Sequence, residues 1–133
     1  MDSYREWIKR AHSSLALAKY SENKAVCYED LCFQAQQAVE KGLKGLLIFY
    51  GVEPEKTHNL FILLQELERY TDISDDIKKV VLLHDYAVQT RYPGEYVEIE
   101  KDEYDQSIWI AEICLSWIDA IITPSGKLEG DSR

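Results

Sequence analysis

The chain has 133 residues, of which 46% are hydrophobic, and this is enough to fill one core without a second domain. Its 15 lysines and arginines against 24 aspartates and glutamates give a net charge of −9, which disfavours general nucleic-acid binding, including general DNA binding. Apolar runs such as residues 46–50 are far shorter than the roughly 20 residues that a bilayer crossing needs. Because the N-terminus also lacks a signal pattern, we expect a cytoplasmic protein with no membrane contact.

Apolar residues recur at three- and four-residue spacing along the first half of the chain, and this spacing predicts two helices. The first covers residues 4–19. The second covers residues 27–50, and Gly51 follows it as a left-handed C-terminal cap. The polar residues between the apolar positions of the second helix are Gln36, Gln37, Glu40, Lys41 and Lys44. They are interpreted as a solvated face with an ion pair between Glu40 and Lys44.

The second half predicts three further helices. The third, at 58–70, has Thr57 or Asn59 as its N-cap, and the fourth, at 75–90, is capped by Ser74 and stopped by Pro93 and Gly94. Inward-facing residues of the fourth helix include Val80 and Val81. Residues 95–106 are treated as an ordered loop, and the last helix is placed at about 103–122.

The predicted fold is therefore an all-α, up-and-down four-helix bundle with an additional short helix. The domain covers residues 1–122, and residues 123–133 form a flexible tail. The last helix is apolar around much of its circumference because Trp109, Ile110, Ile113 and Trp117 widen its stripe. Since one core face does not need so wide an arc, we expect a homodimer.

Three cysteines, Cys27, Cys32 and Cys114, form no Cys-x-x-Cys pair, so we interpret them as reduced core or near-core thiols within helices and expect no metal site. An RNA role would need the basic residues concentrated on one face. The residues concerned are Lys41, Lys44, Lys56, Lys78, Lys79 and Arg91.

Three segments carry a resemblance to a known family. They are the run from Phe33 to Lys44 with its Ala-Gln-Gln-Ala-Val-Glu-Lys core, then Lys56-Thr57-His58-Asn59-Leu60, then Arg91-Tyr92-Pro93. Over residues 4–122 the chain resembles the prokaryotic HEPN domain, of the kind paired with minimal nucleotidyltransferases. The resemblance implies the same helical bundle and no cofactor.

HEPN proteins that cut RNA carry an arginine followed four to six residues later by a histidine. Arg91 matches the arginine, but no histidine follows His84, so the motif is incomplete and catalytic residues remain unassigned. Candidate histidines are His58, which we expect to hydrogen-bond across a helix junction, and His84, which we expect to be packed or half-buried. His12 is expected on the surface.

The resemblance favours a nucleotide- or RNA-binding partner subunit, paired with a minimal nucleotidyltransferase in a toxin–antitoxin-like module. Its ligand would contact Arg91, Tyr92, Tyr96 and Lys56, with phosphate on the two cations and a base stacked on a tyrosine. An alternative role for Arg91 is to complement the dipole at a helix end. Alternative functions are a metal-independent endoribonuclease using Arg91 with His58 or His84, and a structural interaction module.

Overall fold

Helices account for the regular structure of the computed structural model, which describes residues 3–87 and 98–123. The elements are α1 (Tyr4–Ala18), α2 (Tyr28–Phe49), α3 (Leu60–Leu67), α4 (Asp75–Lys78), a 3-10 helix (Lys79–Ala87) and α5 (Lys101–Ile122). No strand occurs in the part of the chain that the structure describes. The predicted all-α, up-and-down bundle is confirmed. The tail predicted after residue 123 lies outside the described residues.

The helix ends are set by local capping. Asn59 Oδ1 accepts hydrogen bonds from the backbone N–H groups of Phe61 and Ile62, and Ser74 Oγ accepts one from Ile77. Gly51 follows α2 with a φ of 85°, a left-handed conformation that glycine adopts without a steric penalty. These caps were predicted, and they are confirmed.

Helix α2 is the central element, because α1, α3, α5 and the 3-10 helix all pack against it. Two glycines permit this close packing. A Cβ added at Gly42 would lie 2.6 Å from Leu115 Cδ2 of α5, whereas one added at Gly45 would lie 3.0 Å from Trp7 Cβ of α1. The core around α2 contains Ala35, Ala38, Val39, Leu43, Leu46 and Leu47, which are all fully buried.

The second half departs from the predicted elements. The segment predicted as one helix at 75–90 is a single α-helical turn followed by a 3-10 helix, in which Val80 is buried but Val81 is 36% exposed. Adjacent β-branched residues favour α-helix less than unbranched ones do, consistent with this change. The prediction of a loop at 95–106 is wrong for residues 101–106, because α5 begins at Lys101. The hydrogen bond from Lys101 to Asp105 supports this first turn at 2.7 Å.

Most of the surplus apolar surface on α5 packs within the bundle. Ile110 and Ile118 are buried, and Ile113 and Trp117 are partly buried, whereas Trp109 remains 44% exposed. The wide stripe reflects contact with α1, α2, α4 and the 3-10 helix. The homodimer stays a prediction.

The residues on either side of 88–97 are attached to the bundle by hydrogen bonds. The Tyr86 hydroxyl donates to the Glu103 carboxylate of α5, and the Ile99 backbone N–H donates to Glu29 Oε2 of α2 at 2.8 Å. Tyr104 packs nearby and donates its hydroxyl hydrogen bond to the Ala18 carbonyl at 2.6 Å. Predictions for Arg91, Tyr92, Pro93 and Tyr96 fall in residues 88–97, outside the described residues.

Candidate functional site

A charged network lies on the central helix, under cover of its neighbours. Gln36, Glu40 and Lys44 are spaced one helical turn apart and therefore share a face. Their residue exposures are 0%, 5% and 8% respectively. The interpretation of this face as solvated is wrong, because α2 is enclosed on this side as well. The predicted ion pair is present, with Lys44 Nζ 2.9 Å from Glu40 Oε2.

The Glu40 carboxylate is the centre of this network. Oε1 accepts a hydrogen bond from Gln36 Nε2 at 3.0 Å, and Oε2 accepts one from Lys44 at 2.9 Å. Gln37 Nε2 in turn donates to Gln36 Oε1 at 2.8 Å. The ammonium of Lys44 also lies 5.9 Å from the ring centroid of Trp7 on α1. A buried carboxylate needs such partners, since burying a lone charge is costly.

His58 joins the network from the loop before α3. Its Nδ1 lies 3.1 Å from Glu40 Oε1 and 3.0 Å from Oε2, while its side chain is 75% exposed. Thr57 shapes this loop by accepting a hydrogen bond from the Asn59 backbone N–H at 3.0 Å. The prediction that His58 hydrogen-bonds across a helix junction is confirmed. Two motif segments that are distant along the chain thus meet at one carboxylate.

The arrangement fixes which nitrogen of His58 faces outward. An ionised carboxylate only accepts hydrogen bonds, so the contact with Glu40 requires a hydrogen on Nδ1. Nε2 has no hydrogen-bond partner among the described residues. The imidazole therefore presents a free nitrogen to solvent, held in orientation by a buried acid.

Three of the basic residues that the structure describes have separate polar partners. Lys41 donates to Ser14 of α1 at 2.9 Å, Lys78 pairs with Glu68 at 3.8 Å, and Lys79 pairs with Asp76 at 3.2 Å. Lys56 is exposed and, within the described residues, pairs with no carboxylate. It therefore offers an available positive charge two residues before His58.

The other histidines lie elsewhere. His84 is exposed on the 3-10 helix, so the prediction of a packed or half-buried side chain is wrong. His12 is exposed as predicted, and its Nε2 lies 3.0 Å from Asp119 Oδ2. The Asp119 side chain is 44% exposed, unlike that of Glu40 at 6%. Only His58 combines an exposed ring with a buried carboxylate partner in the part of the chain that is described.

A second polar group lies near the start of α5. Cys32 Sγ is 3.6 Å from Ser107 Oγ, and burial raises the pKa of the Cys32 thiol to about 11. Burial and the hydrogen bond to Glu103 raise the pKa of Tyr86 well above its usual range. Both groups therefore stay protonated near neutral pH.

Cys114 is buried as predicted, but Cys27 is exposed and precedes α2, so its placement in a helix near the core is wrong.

Residues 3–87 and 98–123 contain neither a cluster that could hold a metal ion nor a helix that could span a membrane. No three histidine, cysteine, aspartate or glutamate side chains there come together in a way that could hold a metal ion. No helix there is both long and apolar enough to cross a membrane.

A shallow groove runs between α3 and the following helices. It is lined by Phe61, Leu64, Gln65, Glu68, Lys78 and Val81.

Sequence reasoning missed the importance of Glu40 and Lys44. Helical spacing placed them correctly on one face but could not show that Trp7 and His58 close over that face. A signal was present, since both residues sit among buried positions such as Val39 and Leu43 on a helix that is apolar around most of its circumference. Such a helix is expected to be covered on every side.

The topology and the network define a small helical-bundle protein whose polar site is built on its central helix. The HEPN domain model matches residues 4–121, and the chain belongs to the HEPN family. No functionally curated protein is similar enough to count as a relative.

Two solved structures are similar over nearly the whole chain. The protein TT1696 from Thermus thermophilus has 28% identity and a TM-score of 0.77, covering 90% of this chain and 98% of its own. ST0689, described as an archaeal HEPN homologue, has 30% identity and a TM-score of 0.73, covering 92% of this chain and 100% of its own. These similarities extend the family assignment to the three-dimensional fold.

Proposed function

We propose that this HEPN-family protein is a nucleotide- or RNA-binding subunit that works with a minimal nucleotidyltransferase in a toxin–antitoxin-like module. The observation that carries the proposal is the convergence of two family motif segments at Glu40, in a loop that also carries the exposed cation of Lys56 two residues before His58. A structural junction alone does not need an exposed imidazole above a buried ion pair. A buried charged side chain in contact with a solvent-facing titratable side chain is an arrangement found at functional sites.

In this proposal the ligand's phosphate binds Lys56 and Arg91, and its base stacks on the ring of Tyr92 or Tyr96. A local cationic site is needed because the chain as a whole carries a net charge of −9. Partner binding and self-association into a homodimer in the cytoplasm belong to the same proposal. Each supplies groups that a small single domain lacks by itself.

Calorimetric titration with AMP and with a short single-stranded RNA tests the ligand-binding part. We expect binding by the wild type and a loss of about tenfold in affinity for Lys56→Ala and for Arg91→Ala, since each removes a charge-assisted hydrogen bond. Lys24→Ala is the matched control, because Lys24 is also an exposed lysine in a loop. Equal affinity in all four proteins would place the ligand elsewhere or exclude it.

The partner part is tested by co-expression with a minimal nucleotidyltransferase from the same organism, followed by size-exclusion chromatography. Co-elution that withstands physiological salt supports the proposal. Separate elution, together with no nucleotide binding, would leave the structural interaction module.

Metal-independent RNA cleavage is the second candidate function. The orientation of His58 by Glu40 favours it, because a general base needs a free and fixed nitrogen. RNA is incubated in excess chelator with the wild type, Arg91→Ala, His58→Ala and His84→Ala. Cleavage that is lost in the first two variants but retained in His84→Ala would establish this function. No cleavage by the wild type would exclude it.

A further inference from the structure

The chemistry of the ligand group that meets His58 follows from the buried network. Glu40 accepts hydrogen bonds from Gln36 and Lys44 as well as from His58. The carboxylate is therefore surrounded by donors, and Lys44 supplies its counter-charge. When the imidazole is uncharged, its contact with Glu40 places the hydrogen on Nδ1 and leaves a lone pair on Nε2.

An uncharged imidazole nitrogen that only accepts selects for a hydrogen-bond donor. Phosphate oxygens are acceptors and cannot satisfy it, whereas a sugar hydroxyl can. The nearby Lys56 ammonium, which has no carboxylate partner among the described residues, has the complementary chemistry for a phosphate. Lys56 and His58 of this loop thus have the chemistry to bind the phosphate and the sugar of a ribonucleotide, respectively.

We propose that His58 is the specificity-determining residue of the ligand site, that its Nε2 accepts a hydrogen bond from a ribose hydroxyl, and that Glu40 is the positioning residue that fixes this state. The ligand class is a ribonucleotide in preference to a deoxyribonucleotide. This inference rests on the proposed nucleotide binding and adds the discrimination of the sugar. It needs no chemical step, only a difference in affinity.

The alternative is that the hydrogen bond between His58 and Glu40 only connects the loop before α3 to α2 and has no role in ligand binding. This alternative predicts the same hydrogen bond but no preference among sugars. The exposed pair of His12 and Asp119 provides a matched control within the chain, because it has the same 3.0 Å contact without a buried acid. It lies between α1 and α5, away from the loop before α3.

The test uses the 133-residue protein at about pH 8, where an imidazole side chain is ordinarily uncharged. Dissociation constants are measured by calorimetry for AMP, 2′-deoxy-AMP and 3′-deoxy-AMP, so that the two possible hydroxyls are distinguished. We expect AMP to bind about fivefold more tightly than one of the two analogues, the effect of one neutral hydrogen bond. His58→Ala should bind all three equally, whereas His12→Ala should keep the preference.

The positioning role of Glu40 has its own readout in the tautomer of His58, which is first measured on the wild type without a ligand. Long-range proton–nitrogen correlation spectra of the wild type should show His58 protonated at Nδ1 and unprotonated at Nε2. Glu40→Gln, if folded by circular dichroism, should lose this single tautomer and the sugar preference together. Asp119→Asn should change neither.

The possible results separate a failure of the inference from a failure of the nucleotide-binding proposal. Equal binding of all three nucleotides by the wild type, or a hydrogen on Nε2 of free His58, would overturn the inference while leaving nucleotide binding in place. Retention of the preference in His58→Ala would do the same. Failure of the wild type to bind any of the three would overturn the nucleotide-binding proposal, and the inference with it.

Discussion

Lys44 Nζ lies 2.9 Å from Glu40 Oε2, and the two side chains are only 10% and 6% exposed. A buried charge pair affects stability differently from a surface pair with the same sequence spacing. Breaking it leaves one uncompensated charge in the interior, whereas removing both charges together leaves none.

We therefore expect Lys44→Met to lower the free energy of unfolding by about 3 kcal/mol, because Glu40 would remain buried without its counter-charge. Urea unfolding followed by circular dichroism measures this loss. The double variant Lys44→Met with Glu40→Gln should recover more than half of it. A single variant as stable as the wild type would show that the pair is hydrated in solution.

The two glycines of α2 are expected to differ in their tolerance of alanine. At Gly45 the added Cβ meets Trp7 Cβ at 3.0 Å, an atom fixed next to the backbone, whereas at Gly42 it meets the side-chain tips of Leu115 and Ile118. Helix propensity gains about 1 kcal/mol at both sites, and overpacking costs roughly 1–3 kcal/mol. Gly45→Ala should therefore be destabilising and Gly42→Ala close to neutral.

Thermal unfolding of the two glycine variants under the same conditions gives the comparison. Since the propensity gain is common to both, the difference in midpoint reports the packing alone. A Gly45→Ala protein more stable than Gly42→Ala would contradict the close approach of α1 to α2.

Thiol labelling should separate Cys27 from the other two cysteines. Cys27 is exposed, whereas Cys32 and Cys114 are buried and their thiols are held protonated. With a chromogenic disulfide reagent at neutral pH we expect a single fast-reacting thiol per chain, absent in Cys27→Ser. All three should react in denaturant. Rapid reaction of Cys114 in the folded protein would mean that the core opens readily.

Stability should decline in alkaline solution because of the same burial. Burial raises the pKa of Cys32 to about 11 and that of Cys114 to about 12, from an ordinary value of 9.0. Between these values the unfolded chain loses protons that the folded chain keeps, so stability is full below pH 9 and falls as the pH rises towards 11 and 12. Urea midpoints from pH 8 to 10.5 should fall less steeply in Cys114→Ala than in the wild type. Parallel slopes would contradict this contribution.

Much of the fold was predictable because it depends on local rules. The bounds of α1 and α2, the caps at Asn59 and Ser74 and the left-handed Gly51 all follow from short-range spacing and capping chemistry. The start of α5 was missed because its first turn is acidic and shows little apolar periodicity. Its stability comes from first-turn charges and from the burial of Tyr104.

The site was less predictable because it depends on what lies beside α2. Spacing identified the Glu40 to Lys44 pair but not its burial, and the resemblance singled out His58 without its partner. Exposure of His84 and Cys27 was likewise decided by tertiary packing. A carboxylate and an imidazole 18 residues apart come together only when the loop before α3 returns to α2.

Gly42 and Gly45 lie about 60° apart around the axis of α2, since each residue advances the helix by about 100°. One meets α5 and the other meets α1. A helix held at close range from two directions cannot turn about its own axis without driving a backbone into a side chain. The direction in which Glu40 points is therefore set by two residues that have no side chain at all. Substitutions that change the packing of these glycines should therefore alter the position of His58 before they alter the arrangement of the helices.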